Sequence, residues 1–85
     1  MADTISFTLS NDQMTDVTVD VVDSRTNRKV LDTYPLNRDE SASVSVVADS
    51  GGKGAAVWAF WSPDGSVNSN NRKDGINDGD QLTLG

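Results

Sequence analysis

The residues able to do chemistry in this 85-residue chain are almost all of one kind. Of its 13 acidic side chains only Glu40 is a glutamate; the others are aspartates. The chain has no His and no Cys. Without imidazole it lacks the commonest general base, the usual zinc ligand and the triads built on histidine. Without thiols it can form neither disulfides nor thiolate metal sites. What remains is oxygen chemistry: a carboxylate pair for acid–base catalysis, or hard oxygen ligands for calcium.

The oxygen ligands are densest from Asp64 to Asp80, a segment holding Asp64, Asn68, Asn70, Asn71, Asp74, Asn77, Asp78 and Asp80. Carboxylates and carboxamides at this density suit Ca²⁺. The EF-hand template does not fit, however. Counting from Asp74, the third position is Ile76 and the twelfth is Gly85, where an oxygen ligand and a bidentate Glu are required. The segment is therefore read as a long solvated loop, its Asp-Gly steps supplying turns. Calcium held by Asp74, Asp78 and Asp80 is the alternative; otherwise no cofactor is expected.

Other catalytic arrangements lack support. Twelve aspartates spread over turns give no specific spacing for a general acid and base, and a chain this short leaves little room for a deep pocket. Gly51, Gly52 and Gly54 around Lys53 do not have P-loop spacing, and no G-x-S-x-G elbow is present. Arg25, Arg28 and Lys29 cluster on one predicted hairpin loop and read as a solvated turn. The expectation is that the protein is not an enzyme.

The net charge of −6 argues against nucleic acid, whose phosphates demand clustered Lys and Arg, and is read as a solubility feature. No apolar run approaches the ~18 residues of a membrane span. The first ten residues, MADTISFTLS, show neither a basic n-region nor an apolar h-region, so no signal peptide is predicted there, and the compartment stays open.

The elements that must carry any site are strands. Apolar residues recur at period two, not 3.6. Ile5, Phe7 and Leu9 alternate within Thr4–Ser10, and Val17, Val19 and Val21 within Thr15–Asp23. Ala42, Val44, Val46 and Ala48 alternate within Ser41–Ala48; Leu82 and Leu84 do so within Asp80–Leu84. Arg28–Leu36 is irregular, with Pro35 marking an edge. A further short strand is expected around Ser66–Asn70. Turn residues recur at intervals of about ten residues. The prediction is one all-β domain over 1–85, a small antiparallel sandwich or barrel of six or seven strands, Ig-like or jelly-roll-like.

One strand breaks the pattern. Gly54–Ser62 reads GAAVWAFWS and is apolar on both faces. If extended, Ala56, Trp58 and Phe60 point one way, and Ala55, Val57, Ala59 and Trp61 the other. Trp58 and Phe60 are assigned to the core, and Trp61 to the exposed side. From this follows the functional expectation: a structural or interaction subunit that docks onto a larger assembly, such as a virus particle or appendage, or onto copies of itself. The contact residues are predicted to be Trp61, Ala59, Val57 and Tyr34. The alternative is a carbohydrate-binding module in which Trp61 and Tyr34 stack on a sugar and the Asp64–Asp80 segment supplies hydrogen bonds. A minor variant assembles copies by exchanging the N-terminal strand.

Overall fold

In the computed structural model, which describes residues 3–85, the chain forms seven strands and no helix. They are β1 (Thr4–Ser10), β2 (Val17–Asp23), β3 (Arg28–Leu36), β4 (Ser41–Val47), β5 (Gly54–Trp61), β6 (Asn68–Ile76) and β7 (Gln81–Thr83). Two sheets face each other, ordered β4-β1-β7 and β3-β2-β5-β6. All pairings are antiparallel except β1 with β7, which is parallel. The protein is thus a small all-β sandwich.

The alternating residues fill the space between the sheets. Ile5, Phe7 and Leu9 from β1 and Ala42, Val44 and Val46 from β4 pack against Val17, Val19 and Val21 from β2 and Ala56, Trp58 and Phe60 from β5. Leu36, Ile76 and Leu84 close the margins of this core. Gly54 is buried because the sheets nearly touch there: a Cβ on it would lie 2.6 Å from Val46 Cγ2 and 2.9 Å from Ile5 Cδ1.

Two buried polar side chains hold the loops. Asn11 Nδ2 donates to the carbonyls of Thr15 and Leu36, both at 3.0 Å, while Asn11 Oδ1 accepts from the Gln13 N–H at 2.9 Å. Asp23 Oδ1 accepts from the Arg25 N–H, and its Oδ2 accepts from the Val47 N–H in the opposite sheet. No buried side-chain polar atom among the described residues lacks a partner, in keeping with the cost of burying an unpaired polar group.

Several expectations are corrected. The segment after Ser66 is not a long loop: Asn68–Ile76 is a nine-residue strand at the edge of the four-stranded sheet. Its sequence does not alternate because the opposing sheet has one strand fewer, leaving eight of its nine residues exposed; only Ile76 is buried. The last strand ends at Thr83, and Leu84, whose N–H still donates to the Ser10 carbonyl at 3.1 Å, is buried in the core. β3 spans Arg28–Leu36 and is an edge strand, as Pro35 led one to expect. It bulges on the way, with Thr33 at φ 50° and its N–H donated to Asp20 Oδ1 at 2.6 Å. β1 lies between β4 and β7.

Candidate functional site

β5 is central in its sheet, between β2 and β6, and its two faces meet different surroundings. The inner face is closed. Trp58 and Phe60 are buried, and the Trp58 indole N–H donates to the Leu84 carbonyl at 2.9 Å. Among the described residues no sheet lies against the outer face. Ala55, Ala59 and Trp61 there are half-buried by their neighbours, and Val57 is 37% exposed.

Strand register sets these residues in rows across the sheet. Thr18, Trp61 and Asn68 form the first row, with Pro35 beyond Thr18. Asp20, Ala59 and Asn70 form the second. Val22, Val57 and Arg72 form the third, with Lys29 beyond Val22. The small alanines lie between longer side chains, giving a trough with Trp61 at one end. At the other end is a depression of about 440 Å³ lined by Val22, Ser24, Asn27, Val57 and Arg72.

Charge frames the trough on both sides. Lys29 Nζ lies 3.3 Å from Asp32 Oδ1 and 3.7 Å from Asp20 Oδ2. The hydrogen bond to Asp32, then the nearby Asp20 charge, raises the Lys29 ammonium above its ordinary range. Asp32 is held below the ordinary carboxylate range, chiefly by the Thr33 hydroxyl and then by Lys29. On the β6 side, Arg72 Nη2 stands 3.6 Å from Asp74 Oδ2. The floor is apolar and the flanks are ion-paired.

The predicted contact residues do not all share this surface. Trp61, Ala59 and Val57 do. Tyr34 stands opposite Val19, which stands opposite the buried Phe60, so Tyr34 points to the inner side of the sheet and emerges at its rim, 39% exposed. Trp61 and Tyr34 are on opposite faces. Val22 and Arg72, absent from the predicted set, are brought in by register. The adjacent valines at 21 and 22 were the available signal for Val22, since one of two neighbours in a strand must face outward.

The oxygen-rich segment is also distributed by the fold. Asp74 pairs with Arg72; Asp78 Oδ1 accepts from the Ser6 N–H at 2.8 Å; Asp80 Oδ2 accepts from the Asn77 N–H at 2.9 Å. Among the described residues no three acidic side chains lie together. Asp64 has a local role: its Oδ1 accepts from Ser62 Oγ at 2.7 Å, Ser66 Oγ at 2.8 Å and the Ser66 N–H at 3.0 Å. These bonds lower its pKa to about 2, the Ser62 hydroxyl contributing most.

Compared with known protein families, curated proteins and solved structures, the chain matches none.

Proposed function

We propose that this chain is a non-catalytic docking module whose outer β5 face seats on a larger protein assembly, as an accessory subunit does on a virus particle or an appendage. The observation that supports this reading is the division of β5: Trp58 and Phe60 complete the core, while Ala55, Val57, Ala59 and Trp61 on the same strand have no layer of their own chain to cover them. An aromatic anchor beside small apolar residues, rimmed by ion pairs, has the make-up of a contact surface. In an extract of its source, the tagged chain is expected to sediment with a much larger particle. Trp61→Asp or Val57→Asp releases it while its far-ultraviolet dichroism is unchanged. Sedimentation of the wild-type chain on its own overturns the reading.

A glycan is the second reading, favoured by the first two rows: Trp61 is flanked by the Thr18 hydroxyl and the Asn68 amide, with Asn70 and Asp20 one row away. A ring with hydrogen-bonding groups on both sides suits one face of a sugar. In this version Tyr34 takes no part. A shift of Trp61 emission across a glycan series supports it, and an unchanged spectrum removes it; the same titration with calcium tests whether Asp74, Asp78 and Asp80 recruit the ion.

A further inference from the structure

The two sheets have four edge strands, and two are blunted by their own geometry. β3 bulges and carries Pro35. β7 is only three residues long. β4 gives one outward donor, the Val47 N–H, to Asp23. Such features are how sheets avoid pairing with other chains. β6 has none of them over its first part: it pairs regularly with β5 from Asn68 to Lys73, contains no proline, and opens with four uncharged residues, Asn68-Ser69-Asn70-Asn71.

Its outward backbone groups can be identified. The Ser62 N–H donates to the Val67 carbonyl at 2.8 Å, which puts the odd-numbered positions of β6 in the hydrogen-bonded pairs with β5. The even-numbered positions, Asn68, Asn70 and Arg72, therefore point their N–H and C=O groups away from the sheet. Consistently, the Arg72 N–H turns to the neighbouring Asn71 side-chain oxygen at 3.1 Å.

We propose that a second copy of this chain occupies this edge, β6 pairing antiparallel with β6 about a two-fold axis with Asn70 opposite Asn70. Charge selects that register. Centring the pair on Arg72 or Lys73 sets like charges directly opposite, which is destabilising. Centring it on Asn71 makes the two Arg72 side chains diagonal neighbours. Centred on Asn70, each Arg72 faces Asn68 of the other copy, no like charges adjoin, and the outward groups at 68, 70 and 72 all meet partners. The two four-stranded sheets then become one continuous sheet, with the two outer β5 faces on the same side. This pairing stands independently of what those faces bind.

The test is sedimentation equilibrium of the full chain from micromolar to millimolar concentration. The wild-type protein is expected to double its mass as concentration rises, with amide exchange slowing at Asn68 and Asn70. Asn70→Lys and Asn70→Asp, which place like charges opposite each other, are each expected to stay monomeric with melting curves close to wild type, because Asn70 is exposed. An equimolar mixture of the two regains the doubled mass. A wild-type chain that stays monomeric throughout, an Asn70→Lys variant that doubles its mass as readily as wild type, or a mixture that remains monomeric overturns the proposal.

Discussion

The indole N–H of Trp58 donates to the main-chain carbonyl of Leu84, 2.9 Å away, and Asn71 Nδ2 reaches the same oxygen at 3.2 Å. The central strand is thereby tied to the end of the chain. Leu84 is fully buried beside this bond, so residues after the last strand belong to the core. Trp58 is fixed as an inward ring, which leaves Trp61 as the indole on the outer face.

Trp58→Phe removes the donor together with part of the buried ring volume, and is expected to cost about 1–3 kcal/mol. Removing Leu84 and Gly85 empties a fully buried site and is expected to cost about 2–5 kcal/mol. Urea denaturation measures both. A truncated chain as stable as wild type would show that the end of the chain closes nothing.

Asp23 joins the sheets through a backbone donor. Asp23→Ala leaves the part-buried Val47 N–H without its acceptor and is expected to cost about 1 kcal/mol for that group alone. Asp23→Asn retains an acceptor and is expected to lose less. Amide exchange at Val47 reports the contact directly and should quicken most in the alanine variant.

Gly54→Ala places a methyl group against Val46 and Ile5 where the sheets come closest. Overpacking of this kind costs about 1–3 kcal/mol. A lowered melting temperature, with the Ile5 and Val46 methyl resonances shifted, is the expected result.

The outer face predicts the opposite behaviour. Val57→Lys adds a charge at an exposed position and should change stability by no more than about 0.5 kcal/mol. In the free protein, iodide should quench Trp61 in a Trp58→Phe variant more strongly than it quenches Trp58 in a Trp61→Phe variant. Equal shielding of both rings would mean that β5 has no open side.

Asp64 makes the turn after β5 sensitive to acid. Its carboxyl is held at about 2, below the ordinary value of about 3.9, by donors that favour the charged form. Because the folded value is the lower one, its stabilising contribution is complete above about pH 4 and fades as the pH falls towards 2. The Asp64 carboxyl carbon and the Ser66 amide should titrate together in that window, and Asp64→Asn should abolish the Ser66 transition.

The strands facing the core could be read directly from the chain, because one buried face forces period two: Ile5-Phe7-Leu9, Val17-Val19-Val21 and Ala42-Val44-Val46 all occupy the predicted interior. The two-sided apolar character of Gly54–Trp61 was equally plain, since it is a matter of residue type. β6 was not, beyond a short stretch near its start. An edge strand overhanging a narrower sheet buries almost nothing, so burial leaves no alternation in its sequence, and its extended form comes from hydrogen bonds to β5. Nor does the sequence reveal which residues stand beside Trp61. Thr18, Asn68 and Arg72 arrive on that surface, and Tyr34 on the other, through the register of strands far apart in the chain. Local composition decided that this protein is built of sheets, whereas long-range pairing decided which of its side chains share a surface.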